Sequence, residues 1–199
     1  QGTQGTQGTQ GIQGDDGSLT ANLQQVTTNG NVTTNTCEFV AANDVSIHLS
    51  NGISIGSSNV IIGQNAGFTS SLTNSIQRVA IGTQAGKTNQ NSYTVAIGFA
   101  SGETGQGINA VAIGSQAGRG SQNNYSVAIG SGAGQVSQGR SAVAIGDQAG
   151  EDSQADYAIA IGNHAGTNVQ ATYTVAIGNQ AGENYQKTQA VAIGSKAGE

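Results

Sequence analysis

A sixteen-residue unit recurs through the sequence from residue 79 onward. Each copy opens with Val-Ala-Ile-Gly, with Ile in place of the Val once, and continues as x-x-A-G-x-x-x-Q with few exceptions. A unit of sixteen residues is too short for a helical hairpin or a propeller blade, and it holds too much glycine for a helix. The repeat therefore predicts an all-β fold, a parallel β-solenoid in which every copy forms one coil.

The Val-Ala-Ile segment of each unit has the composition of a short strand. Side chains alternate along a strand, so Val and Ile share one face and Ala takes the other. Both faces are apolar, which is typical of a strand that is buried on both sides. We expect Val and Ile to fill the coil and the small Ala face to meet neighbouring chains. The predicted solenoid core is Val95, Ile97, Val111, Ile113, Val127, Ile129, Val143, Ile145, Ile159, Ile161, Val175 and Ile177.

In each of the seven complete repeats a glutamine follows the Ile-Gly pair at a fixed distance of eight residues. Equal coils stack about 4.8 Å apart, so identical positions form columns along the rod. Stacked amides can hydrogen-bond to one another, and the sequence therefore predicts a glutamine ladder. Its members are Gln90, Gln106, Gln122, Gln138, Gln154, Gln170 and Gln186.

Four tyrosines share another column, just before the strand of their coil. Two interpretations remain open: the rings pack on neighbouring coils, or they offer a stacking surface that contacts a ligand such as a glycan. The column contains Tyr93, Tyr125, Tyr157 and Tyr173.

The first eighteen residues have glycine at every third position. Only glycine fits at the crowded axis of a triple helix, so residues 1–18 are predicted to form a collagen-like stalk. A triple helix requires three chains, and we therefore expect a homotrimer. The alternative is a disordered linker rich in Gly, Gln and Thr. The stalk glycines are Gly2, Gly5, Gly8, Gly11, Gly14 and Gly17.

Residues 19–62 are interpreted as a β-rich adaptor between the stalk and a solenoid head at 63–199. A divergent copy of the repeat, Val60–Gly67, precedes the next copy by nineteen residues, and its three extra residues are expected to form a loop. Cys37 is the only cysteine, so no intrachain disulfide supports the fold. We expect the chain to be a C-terminally truncated segment of a longer protein.

Composition and motif content argue against several functions. A net charge of −5 with six Lys and Arg disfavours nucleic-acid binding. The sequence contains no run of eighteen apolar residues, the length that would predict a membrane-spanning helix. The two histidines, His48 and His164, have no local nucleophile partner, and the acidic residues near Asp147 occur in one repeat only. We therefore expect no enzyme activity, no metal and no cofactor.

The repeats Ser126-Val-Ala-Ile-Gly130 and Thr174-Val-Ala-Ile-Gly178 resemble the motif of YadA-like heads in trimeric autotransporter adhesins. This resemblance implies a left-handed β-roll that trimerises, and a bacterial cell-surface adhesin that binds host matrix or cells. The sixteen-residue period and the Ala-Gly and Gln columns depart from that family, whose coils are commonly shorter.

The whole chain is similar to fibre proteins of large DNA viruses and phage tail fibres, through its Gly-X-Y triplets followed by V-A-I-G-x-x-A-G repeats. That resemblance implies an extracellular fibre on the virion surface, which attaches to a glycan or protein receptor of the host. A depolymerising tailspike is a third candidate, and it would require paired carboxylates in a groove.

Overall fold

The structure is a computed structural model of the chain, and it describes residues 59–67 and 77–198. The predicted stalk at 1–18, residues 19–58 of the adaptor with Cys37 and His48, and the three-residue loop expected after Gly67 lie outside these residues. Within the described ranges the chain is all-β and contains no helix.

The described residues form thirteen short strands in two parallel sheets. The larger sheet has nine strands in the order β1-β2-β3-β4-β6-β8-β10-β12-β13, and the smaller has four in the order β11-β9-β7-β5. In chain order they are β1 Asn59–Ile62, β2 Arg78–Ile81, β3 Val95–Ile97, β4 Val111–Ile113, β5 Ser121–Gln122, β6 Val127–Ile129, β7 Ser137–Gln138, β8 Val143–Ile145, β9 Ser153–Gln154, β10 Ile159–Ile161, β11 Val169–Gln170, β12 Val175–Ile177 and β13 Val191–Ile193.

Register along the larger sheet follows the repeat. Val111 pairs with Val127 and Ala112 with Ala128, so partners lie one sixteen-residue unit apart. Because every strand pairs with the strand of the next coil, the chain is a parallel β-solenoid, as the repeat predicts. Eight steps of about 4.8 Å give the described rod a length of about 38 Å.

The solenoid begins earlier than the sequence predicts. Strand β1 pairs in parallel with β2, and Val60 lies opposite Val79. The predicted boundary after residue 62 therefore cuts through the first coil, and the segment 59–62 belongs to the head rather than to the adaptor.

Each strand of the larger sheet is followed by a glycine, and from Gly63 to Gly178 these glycines leave no space for a side chain. Gly130 has φ +127°, and a Cβ placed on it would lie 2.3 Å from the carbonyl oxygen of Gly146 in the next coil. The same close approach repeats down the column, so the turn after the strand depends on glycine both for its φ angle and for space.

The coil interior is lined by alanine, which corrects the predicted core. Ala112, Ala128 and Ala144 are fully buried, whereas their Val and Ile neighbours in the strands are only half-buried. Buried glutamine amides share this narrow interior with small Ala, Ser and Thr side chains, which leaves room only for a methyl group at the central position of each strand. The residues wrongly assigned to the interior are Val95, Ile97, Val111, Ile113, Val127, Ile129, Val143, Ile145, Ile159, Ile161, Val175 and Ile177.

The same finding corrects the predicted contact face. The Ala face was expected to meet neighbouring chains, but it points into the coil. The face that remains available is the outer one, with its Val and Ile columns.

Candidate functional site

The outer face of the nine-stranded sheet carries two continuous apolar columns. Val111, Val127 and Val143 belong to one column, and the isoleucine two residues after each valine belongs to the other. Their side chains are half-buried along the rod, and at the last strand Val191 and Ile193 are each 65% exposed. A contiguous apolar strip of this length is typical of an interaction surface.

Inside the coil, the predicted glutamine column forms a hydrogen-bonded ladder. Nε2 of Gln138 donates to the carbonyl oxygen of Val127 at 2.7 Å and to Oε1 of Gln154 at 3.1 Å. An amide of this kind thus binds the strand of its own coil and the next amide, which satisfies polar groups that would otherwise be costly to bury. Side-chain contacts of this kind join Gln90 to Gln106, and every neighbouring pair from Gln122 to Gln186.

One step of the ladder is open. Nε2 of Gln106 donates to the carbonyl oxygens of Val95 and Ala110, at 2.8 and 3.3 Å, rather than to Gln122. Oε1 of Gln122 is consequently buried without a hydrogen-bond partner. The ladder lies entirely inside the coil, so it stabilises the fold and offers nothing to a ligand.

A charged residue closes the beginning of this interior. Arg78 takes the inward position that holds Thr, Ser or Ala in later coils, and it is only 7% exposed. Its side chain donates to Oδ1 of Asn59 at 3.4 Å and to the carbonyl oxygen of Gln90 at 3.4 Å. Burial lowers the pKa of the Arg78 guanidinium from its usual value. The side chain covers the first rung of the ladder.

The predicted tyrosine column lies on the outside of a corner. Tyr93, Tyr125, Tyr157 and Tyr173 have φ angles of 61–62° and are 40–55% exposed. The rings of Tyr157 and Tyr173 stack with their centroids 5.1 Å apart and an angle of 7° between their planes. Packing between rings and exposure to solvent therefore coexist in this column.

The coils between the tyrosines hold smaller residues in the same left-handed conformation. Ser141, with φ 54°, separates Tyr125 from Tyr157, and Asn109, with φ 57°, separates Tyr93 from Tyr125. Beside Ser141, the guanidinium carbon of Arg140 lies 6.0 Å from the centroid of the Tyr125 ring. Sequence reasoning missed the role of Arg140, although its place beside the tyrosine column could have identified it.

A second surface feature is an ion-pair cluster that sequence reasoning also missed. Glu103 contacts Lys87 at 3.5 Å and Arg119 at 3.1 Å, each from a neighbouring coil. Glu103 and Arg119 also line an open depression of about 340 Å³ together with Gln135 and Val136. The alternation of charges at sixteen-residue intervals was the available signal.

The residues considered for metal binding are dispersed. His164 lies in a left-handed corner column with Gln148 and Gln180, with φ 53°. Asp147 accepts a hydrogen bond from Nδ2 of Asn163 at 3.3 Å, and Asp156 accepts one from the backbone of Arg140 at 2.7 Å. In the part of the chain that the structure describes, no group of three or more His, Cys, Asp or Glu is placed to hold a metal ion.

Comparison with protein-family models, with curated proteins and with solved structures gives no match. Across residues 59–67 and 77–198, no helix has the length and apolar character needed to cross a bilayer.

Proposed function

We propose that the chain is a structural fibre protein that assembles as a homotrimer through the outer face of its nine-stranded sheet. The observation that carries the proposal is the pair of Val and Ile columns on that face. In the single chain these side chains are only half-buried, whereas the alanines between them in the strands are fully buried.

Burial of apolar surface favours association of such faces. Transfer from water contributes about 25 cal/mol per Å² of apolar area, and the columns extend across all nine strands. The β-branched side chains stand in register from coil to coil, so equivalent faces of several rods can interdigitate along their whole length. A face repeated at constant spacing suits identical copies better than an unrelated partner.

The number of copies is argued from the N-terminal segment. Six consecutive Gly-X-Y triplets at residues 2–19 are the pattern of a triple helix, which needs three chains. A stalk of three chains followed by a head with one apolar face per chain favours closed threefold symmetry. In this arrangement the three outer faces meet at the axis.

The fibre is proposed to act outside the cell, as an attachment rod on a virion surface. A rod with repeated surfaces, presented three at a time, favours multivalent contact with a host glycan or protein receptor. The Ser126-Val-Ala-Ile-Gly130 motif also favours a second candidate, the head of a bacterial trimeric adhesin. Both candidates are trimeric, non-enzymatic rods, and they differ in the particle that displays the rod, a virion in the first and a bacterial cell in the second. The left-handed coil implied by the resemblance remains part of the proposal.

Light scattering on the purified chain tests the assembly. We expect a mass about three times the 19.7 kDa of one chain. Ile145→Lys places a charge in the middle of the proposed interface, and we expect the mass to fall towards that of one chain. Val136→Lys is the matched control, because Val136 is 51% exposed and lies outside the nine-stranded sheet. A wild-type chain that is stable and monomeric, or an Ile145→Lys trimer, contradicts the proposal.

A further inference from the structure

The tyrosine column has an opening at the coil of Ser141. Tyr157 and Tyr173 belong to consecutive coils, and their nearly parallel rings stack at 5.1 Å. Tyr125 shares their φ angle of 62°, but Ser141 occupies the coil between it and Tyr157. Tyr125 and Tyr157 therefore stand two coil steps apart along the rod, about 10 Å, and the coil between them contributes no ring to the column.

This separation fits a saturated ring better than a planar one. Two van der Waals contacts of about 3.5–4.0 Å account for about 7–8 Å, which is what a flat ring between two aromatic faces requires. A puckered six-membered ring is thicker and fills the remaining space. Its axial C–H groups also face the negative faces of the aromatic rings, which is a favourable arrangement.

Polar groups at the edge of the slot complement hydroxyl groups. The Arg140 guanidinium lies over the face of the Tyr125 ring, with its central carbon 6.0 Å from the ring centroid, so it stands at one wall of the slot and offers several donors to a ligand there. The Asp156 carboxylate accepts from the backbone of Arg140 through Oδ1 at 2.7 Å and retains acceptor capacity for a ligand hydroxyl. Because these two charges are opposite, the slot favours a neutral ligand over a charged one.

The backbone of the column adds an independent observation. A left-handed conformation costs an ordinary residue about 1–2 kcal/mol, and Asn is among the few that adopt it readily. Asn109 shows that a small polar residue fits this corner, yet the chain holds tyrosine here in four coils, each at least 40% exposed. The same left-handed turn holds Gln77 and Gln189 in other coils, so the turn belongs to the fold, and what a binding role explains is the choice of large, partly exposed rings at it.

We propose that the slot formed by Tyr125, Ser141 and Tyr157, with Arg140 and Asp156 at its edge, binds one pyranose ring of a neutral glycan. The site rests on the proposed attachment function and names its ligand class. Tyr93, Asn109 and Tyr125 form a second gap of equal width, but Ile108 stands where the first slot has Arg140. The gap at Ser141 is therefore the stronger site.

Saturation-transfer NMR on the whole chain tests the site. The probes are the methyl glycosides of glucose, galactose, mannose and N-acetylglucosamine. We expect transfer to the ring protons of at least one of them, and a loss of about tenfold or more in affinity for Tyr157→Ala. Tyr185→Ala is the control, because Tyr185 is 75% exposed and lies outside the column; its affinity should stay within about twofold of wild type.

Ser141→Tyr separates binding from folding. The new ring would complete a stack from Tyr125 to Tyr173 and fill the slot, so binding should disappear while thermal stability is kept or raised. Binding by Ser141→Tyr at wild-type strength overturns the proposal, as does a wild-type chain that gives no transfer from any probe. Light scattering on the same samples distinguishes this proposal from that of the trimeric fibre. A chain that is trimeric but binds no sugar contradicts the binding slot and leaves the fibre proposal standing.

Discussion

Gly134 and Gln138 share one space inside the coil: a Cβ atom on Gly134 would lie 2.9 Å from Cδ of Gln138. The amide therefore folds back over the backbone of the glycine four residues earlier. The same contact recurs in the other coils, at 2.3 Å between Gly166 and Gln170. The Ala-Gly and Gln positions of the repeat are thus one structural unit, because the glycine leaves the room that the glutamine fills.

This relationship predicts coupling between substitutions at the two positions. Gly134→Ala should destabilise the chain by pushing the Gln138 amide off its partners, in addition to the cost of φ +52° for alanine. Gln138→Ala removes the group that is displaced, so the double variant should lose less stability than the sum of the singles. We expect a coupling of about 1 kcal/mol or more in urea unfolding at fixed protein concentration.

Gly132→Ala is the matched control for this cycle. Gly132 also has a left-handed φ, +64°, but the nearest atom to its Cβ position is Cγ of Gln148 at 3.4 Å. Combined with Gln138→Ala it should show additive effects. Equal coupling in both cycles would mean that the general strain of alanine, rather than contact with the amide, governs the first result.

The open step of the ladder predicts unequal costs for two equivalent glutamines. Gln138 accepts a hydrogen bond from Gln122 and donates onward to Gln154, whereas Oε1 of Gln122 accepts none. Gln138→Leu should therefore cost more than Gln122→Leu by about one hydrogen bond, roughly 0.5–1.5 kcal/mol. Urea unfolding of the two variants measures the difference. If Gln122→Leu proves the costlier change, Oε1 of Gln122 accepts a hydrogen bond from Gln106 in solution.

The period of the sequence was sufficient to predict the stacking of coils and the glutamine column. It could not decide which face of the strand points inward, because Val143 and Ala144 are both apolar and alternation is symmetric. Size suggested that the larger residues fill the interior. The deciding factor is the volume already taken by Gln138 and its equivalents, which only the closed coil reveals.

The candidate binding slot was only partly predictable. The shared column of Tyr125 and Tyr157 could be read from the repeat, and so could their possible contact with a glycan. Their left-handed backbone could not, because tyrosine rarely adopts it. Asn109 in the same column was the available clue. The gap at Ser141 can be recognised as a candidate binding slot only once the rings of Tyr157 and Tyr173 are known to stack along the rod.

The corrected orientation of the strands predicts the effect of enlarging an inward alanine. Ala144 is fully buried between coils, so Ala144→Leu should overpack the interior and cost about 1–3 kcal/mol or more. Val136→Leu adds bulk at a position that is 51% exposed and should change stability by less than about 0.5 kcal/mol. Thermal unfolding of both variants checks the orientation. If leucine at position 144 left stability unchanged, the alanine side chains would have to point outward rather than into the coil.

The ion-pair cluster predicts a small effect that depends on salt. Glu103 is the acidic centre between Lys87 and Arg119, and its side chain is 17% exposed, whereas that of Arg119 is 49% exposed. Solvent screens such pairs, so Glu103→Gln should cost no more than about 1 kcal/mol in low salt. At 1 M NaCl the Debye length falls to about 3 Å, and the difference from wild type should shrink.

Glu183→Gln provides the control for this salt dependence. Glu183 occupies the same column five coils later and forms no salt bridge among the described residues. Its substitution should leave stability nearly unchanged at both salt concentrations. A loss at Glu103 that persists undiminished in 1 M NaCl would show that the carboxylate acts through packing or local hydrogen bonds instead of charge. Urea unfolding of both variants at low and high salt distinguishes these cases, because only the charge-pair contribution is screened.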